Sequence, residues 1–231
     1  MQEVFRQENK FLINSVDYMK IDRILSSVLM QDANNGPRGY KVRSLYFDTL
    51  NDKDFEEKEM GVELRRKIRL RIYDPANKKA KLEMKQKEGN SQKKRSITIT
   101  KEDAIKLTEG DYSPLLNYSN PFAKECYALM TMLCYRPKTI VEYDRKAFIA
   151  KENKTRITLD SHIYATESSF DLFSENLPMY PVFDEFNSVL EVKFNGFLLS
   201  YIKDLLDLAD RSPLAVSKYC LARSSTLHYK F

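Results

Sequence analysis

The chain has 231 residues, 42% of them hydrophobic, with 38 Lys and Arg against 33 Asp and Glu for a net charge of +5. That content can bury a full core, so a single domain over residues 1–231 is expected, and the modest positive excess fits an anionic partner. Cys126, Cys134 and Cys220 lack CxxC spacing and exclude a disulfide frame or zinc site, while no run approaches the ~20 apolar residues of a membrane span.

Most of the predicted elements are strands with period-2 alternation. In chain order they are "EVFRQENKFLI", "KVRSLYFDT", "GVELRRKIRLRIYD", "KKAKLEMKQKE", "KKRSITIT", "KTIVEYDRKAFIAK", "KTRITLDSHIYAT" and "SVLEVKF". Between them, residues 15–30 place Val16, Ile21, Ile24, Leu25, Val28 and Leu29 at helical spacing. Thr100 and Asp103 form a capping-box signal for a helix ending at Gly110, and Asn120-Pro121 opens another through about Tyr135. Ser212-Pro213 is read as opening a last helix that carries Lys218. The acidic, aromatic segment 167–188 is read as a long rim loop. Strands of this kind with helices outside them imply an α+β fold, a mainly antiparallel closed β-barrel.

The strand at residues 63–74 carries Leu64, Arg66, Ile68, Leu70 and Ile72 on one parity and Arg65, Lys67, Arg69, Arg71 and Tyr73 on the other, one face mostly apolar and the other with four cations. Other strands repeat this division. Arg6, Glu8 and Lys10 share a face, as do Lys81, Glu83, Lys85 and Lys87, then Lys93 with Arg95, and Glu191 with Lys193. Arg145 and Arg156 bring one guanidinium each from two further strands. A single such strand would simply face water. Eight of them would need a common core for their apolar faces, as in a sandwich, or a coat of helices, as around a barrel. In the barrel case the charged parity lines a lumen whose Arg forks and Lys point charges suit phosphate. Glu8, Glu83 and Glu191 among those cations are the donors that Mg²⁺ or Mn²⁺ bridging phosphate oxygens would require. The glycines form neither GxGxxG nor GxxxxGK[ST], and two histidines, His162 and His228, give no convincing nucleophile set.

"RQENKFLI", "VRSLYFDT", "IRLRIYD", "LEMKQKEG", "KKRSITIT", "YDRKAF", "TRITLD", "LEVKF" and "AVSKYCLAR" follow one another as in the polyphosphate polymerase domain of the vacuolar transporter chaperone (VTC) family, within the CYTH-like triphosphate tunnel metalloenzymes. The chain resembles that family over nearly its whole length. The resemblance implies ATP-dependent extension of inorganic polyphosphate in a cation-lined tunnel with Mn²⁺ or Mg²⁺. It implies that Lys10, Arg69, Arg71, Lys85, Arg145 and Arg156 grip phosphates, that Glu191 binds metal, and that Lys218 is supplied from a closing helix. In "KKRSI" Arg95 is preferred, with Lys93 second. Where hydrolytic relatives carry ExExK, this chain has Arg6, Glu8 and Lys10, which replaces a metal ligand with a phosphate grip and favours a polymerase.

Two alternatives stand beside that reading: a tripolyphosphate or nucleoside triphosphate hydrolase of the same fold, and a non-catalytic polyphosphate-binding module. ATP and polyphosphate are the expected partners, with no nucleic acid. The expected location is the cytoplasm, and coupling to transport would require a separate membrane partner.

Overall fold

A computed structural model describes residues 6–89, 91–213 and 217–227. In chain order the elements are β1 (Arg6–Asn14), α1 (Ser15–Val28), β2 (Met30–Gln31), β3 (Tyr40–Asp48), α2 (Lys53–Glu59), β4 (Arg65–Ile72), β5 (Lys79–Glu88) and β6 (Ser91–Thr100). There follow α3 (Lys101–Thr108), α4 (Pro121–Met132), β7 (Arg136–Ile149), β8 (Arg156–Thr166), β9 (Tyr180–Pro181), β10 (Asn187–Asn195), α5 (Ser200–Leu206), β11 (Ser212–Pro213) and α6 (Lys218–Leu227).

Local chemistry explains several of these ends. The Asn14 side chain accepts from the Asp17 amide at 2.8 Å and starts α1, whose Ile21 and Leu25, four residues apart, are buried. Thr100 Oγ1 accepts from the Asp103 amide at 3.1 Å and starts α3, and Gly110, at φ 89°, follows its end. Asn120 caps α4 by accepting from the Phe122 amide at 2.9 Å, with Pro121 in the first turn. That helix stops at Met132, short of the expected Tyr135, because Cys134 turns left-handed at φ 50° and the Tyr135 amide bonds back to the Met130 carbonyl. Ser212-Pro213 is a further correction. It forms the short strand β11 against Phe11 and Leu12, and α6 starts only at Lys218.

Backbone contacts divide the chain into two compact units. The first comprises Met1–Lys41, Tyr143–Ile163 and Phe183–Ala215. Its strands run β11-β1-β10-β8-β7, with β2 on β7. One parity of these strands, with Ile13, Ile157, Leu159, Leu190, Val192 and Phe194, forms a core with Ile21 and Leu25 of α1 and Ile202 and Leu206 of α5. The second unit comprises Val42–Glu142, Tyr164–Val182 and Val216–Phe231. Its strands run β7-β3-β4-β5-β6, with β9 on β8. Here Leu45, Phe47, Ile68, Leu70, Leu82 and Ile99 pack with Ala104 and Leu107 of α3 and Ala123, Cys126 and Met130 of α4. The segment after Thr166 is the long loop expected, apart from the two-residue β9, and its Leu172 and Phe173 join that core. In both units the alternation thus sorts side chains into an apolar parity covered by helices and a polar parity.

The architecture is α+β with antiparallel ladders. Among the described residues the ladder path runs from β11 to β6 without a pairing that closes it, so the hydrogen bonds do not draw the closed barrel expected from the sequence. No helix among these residues is long and apolar enough to cross a membrane.

Candidate functional site

In the second unit the polar parity is set by register. Tyr46 lies opposite Arg69, Arg69 opposite Glu83, Lys67 opposite Lys85, and Lys85 opposite Lys94. Glu83, buried at 3% exposure, is the hub. Its Oε2 accepts from Arg69 Nε at 2.8 Å and lies 3.6 Å from Arg71 Nη2, and its Oε1 lies 2.6 Å from Lys94 Nζ. Burial alone would raise the Glu83 carboxyl, but the charges of Arg69 and Arg71 and the Lys94 bond outweigh it and hold the group at about 2. Arg65, Lys67, Lys81, Lys85 and Lys87 sit on the same parity by register, so with Arg69, Arg71 and Lys94 the cations of this face far outnumber Glu83, a surplus that favours an anionic ligand.

Two buried atoms on that face meet no protein partner. Arg71 and Ser44 are opposite each other in the β3–β4 ladder, and both Arg71 Nε and Ser44 Oγ are buried without a hydrogen bond. An unpaired guanidinium N–H beside an unpaired hydroxyl is a ready pair of donors for a phosphate oxygen.

Tyr46 is buried at 3% exposure, yet its hydroxyl accepts from Arg69 Nη1 at 3.1 Å. Burial would raise its phenol, but Arg69, Lys67 and Arg71 draw it down to about 8. Lys85 lies in the centre of this face by register, and Lys218 opens α6, half-buried.

Arg95 is a correction. It lies opposite Met84 on the helix-covered parity, stacks 5.0 Å from the Phe122 ring and bonds Glu125 of α4, with Arg95 Nη2 at 2.6 Å from Oε1. Lys93 shares that parity, opposite Gln86, and is exposed. The residue of "KKR" that joins the cation face is Lys94. Glu83, also expected as a metal ligand, has its two oxygens engaged by Arg69, Arg71 and Lys94, as Glu8 and Glu191 are engaged by Lys10 and Lys193.

In the first unit, Lys10 is opposite Glu191 and Glu8 opposite Lys193 across β1 and β10, and Lys193 is opposite Arg156 across β10 and β8. Lys10 Nζ bonds Glu8 Oε1 at 2.8 Å and lies 4.0 Å from Glu191 Oε2, while Lys193 bonds Glu191. Arg145 forks onto the fully buried Asp160, with Nε–Oδ1 2.6 Å and Nη2–Oδ2 2.7 Å. Arg156 bonds Asp32 at 2.7 Å and donates to the Tyr40 hydroxyl at 3.2 Å. Arg6 opens β1 opposite Asn195, and its side chain lies outside the described residues, as does His228. The exposed His162 bonds Asp144 and belongs to neither set.

The donors of the first unit fit a hard divalent cation. Glu8 and Glu191 are diagonal neighbours on one face, and buried Thr158 Oγ1, in the register position facing Glu191, has no protein partner. Among the described residues no three His, Cys, Asp or Glu side chains form a complete metal cage, so substrate oxygens and water would fill the remaining positions, as is usual for Mg²⁺.

Comparison with known proteins adds the family and the fold. The model of the VTC domain matches residues 5–227. No curated protein matches the sequence. Among solved structures, a provisionally assigned adenylate cyclase from Bacillus halodurans aligns at TM-score 0.50 and 12% identity, covering 88% of this chain and 88% of that one. A chain of the Schizosaccharomyces pombe Mediator head module aligns at TM-score 0.50 and 12% identity, covering 90% of this chain and 100% of that one. The PH1819 protein from Pyrococcus horikoshii OT3 aligns at 0.49 and 12%, covering 95% and 99%. At these identities the two matches at TM-score 0.50 show a likeness of fold alone, and nothing about chemistry is taken from them.

Proposed function

The chain belongs to the VTC-domain family, and from that premise we propose that it is a polyphosphate polymerase that transfers the γ-phosphate of ATP to the end of a growing polyphosphate chain. The observation that carries the reading is the cation face around Glu83, where Arg71 Nε and Ser44 Oγ are buried donors without protein partners. Closure of the sheet into a tunnel, which the family resemblance implies, is part of the same proposal.

In the proposed reaction an oxygen of the terminal phosphate of the chain attacks the γ-phosphorus. The bond from that phosphorus to the oxygen of the β-phosphate breaks, and ADP leaves. The attacking phosphate is already ionised, so no protein nucleophile or general base is required. Catalysis then rests on alignment and on neutralising charge at the transferring phosphoryl group. Arg69, Arg71, Lys85 and Lys94 serve this purpose in the second unit, and Lys10, Arg145, Arg156 and Lys193 in the first. Lys218 contributes a further cation from α6. Glu8 and Glu191 would hold Mn²⁺ or Mg²⁺, which neutralises phosphate oxygens when bound. Arg6 in place of the first carboxylate of ExExK supports synthesis over hydrolysis, because it removes a metal ligand. A cytoplasmic location and a separate membrane partner belong to the proposal as well.

The test is incubation of purified protein with ATP, Mn²⁺ or Mg²⁺ and a short polyphosphate primer. ADP formed with lengthening chains is the expected result. Free phosphate without growth identifies a hydrolase, and retained polyphosphate binding without turnover identifies a binding module.

A further inference from the structure

The Arg69 guanidinium is held on one side by Glu83 and on the other by the Tyr46 hydroxyl. Tyr46 is in turn backed by a residue from the far end of the sequence. The Tyr219 ring of α6 stacks on Tyr46 with centroids 5.2 Å apart and planes inclined by 29°. Lys67 Nζ lies 5.5 Å from both centroids, so the two rings hold the same ammonium.

Tyr219 has little freedom of its own. Its hydroxyl donates to Asp48 Oδ2 at 2.6 Å, and Phe55 meets its ring edge-on at 6.3 Å. Asp48 is fully buried and already accepts from the amides of Thr49, Asp54 and Phe55 at 2.7–2.9 Å. A carboxylate fixed by three backbone donors is a rigid anchor for a fourth. The two stacked phenols also differ in kind. Burial and Asp48 push Tyr219 up, so it stays a donor, whereas Tyr46 accepts from Arg69.

We infer that Tyr219 is a positioning residue for the phosphate face of the second unit: anchored on Asp48, its ring seats Tyr46 and Lys67 and thereby sets the Arg69 guanidinium. The inference rests on the proposal that this face binds phosphate. It assigns α6 a second role beside Lys218, with Tyr219 acting through Tyr46 and touching no substrate.

The test measures tripolyphosphate affinity by calorimetry for the full chain, for Tyr219→Phe, which keeps the ring, and for Tyr219→Leu, which removes it. Each substitution is made alone and together with Arg69→Ala. Tyr219→Leu is expected to weaken binding about tenfold and Tyr219→Phe about threefold, with less than about a twofold further loss in the Arg69→Ala background. A merely structural role would lower thermal stability and leave the losses multiplicative. If Tyr219→Leu does not fold, the Tyr219→Phe cycle carries the test. Wild-type affinity in the folded variants, or losses that multiply with Arg69→Ala, overturns the inference alone. A wild-type protein that binds no tripolyphosphate overturns the phosphate reading and the inference with it.

Discussion

Glu83 shows how one buried carboxylate organises a face of like charges. Without it, Arg69, Arg71 and Lys94 would repel one another in a partly desolvated setting, so Glu83→Gln is expected to cost about 3 kcal/mol of stability in urea unfolding. Its carboxyl is held at about 2, below its ordinary value of 4.5. The folded state therefore binds fewer protons there than the unfolded chain. The stabilisation is complete above pH 4.5 and is lost as pH falls toward 2, and Glu83→Gln should lack this acid limb. Asp54 works in the opposite sense. Burial and the neighbouring Asp48 raise it to about 7, so its ionisation opposes folding as pH rises from its ordinary 3.8 through 7. Asp54→Asn should raise the Tm at pH 8 and leave it nearly unchanged at pH 4, as read by thermal melts. On the binding side, Arg69→Ala and Arg71→Ala, each correctly folded, are expected to lose roughly 10²–10³ in turnover.

The register of β6 decides between neighbouring cations. Lys94→Ala should weaken tripolyphosphate binding, because Lys94 lies on the Glu83 face, whereas Arg95→Met should lower the Tm through loss of the Glu125 and Phe122 contacts and leave binding unchanged. Reading "KKR" by charge alone favoured Arg95, since three adjacent cations occupy both parities. The deciding signal lay two residues on. Ile97 and Ile99 share the parity of Arg95 and pack with the core, while Ser96 and Thr98 follow Lys94. The strands that alternate, such as β4, were legible as strands with longer bounds than the structure gives them, Arg65–Ile72 where residues 61–74 were expected, and the caps at Asn120 and Thr100 were legible to the residue. Ser212-Pro213 was not, because a Pro that fits the first turn of a helix also fits the end of a short strand. The partnership of Tyr219 with Asp48 spans 171 residues, and no local pattern encodes it.

At the scale of the whole molecule, each unit repeats one plan: an apolar parity covered by helices and a polar parity where cations surround carboxylates. The sequence conveyed that plan through recurrence, since a single alternating strand has no reason to face anything but water. Closure into a barrel was not readable, because alternation specifies which face a side chain takes and leaves strand order open. The same division of charge yields a prediction about metal. Glu191→Gln should reduce Mn²⁺-dependent turnover while leaving metal-free tripolyphosphate binding near wild type, as measured by calorimetry in chelator. The central claim is that the γ-phosphate of ATP ends in a polymer. The most direct measurement supplies γ-labelled ATP, divalent metal and primer, and follows how the label divides between polyphosphate and free phosphate. Label in chains that grow in step with ADP release is the predicted result, and label recovered only as free phosphate, or left in ATP, would contradict it.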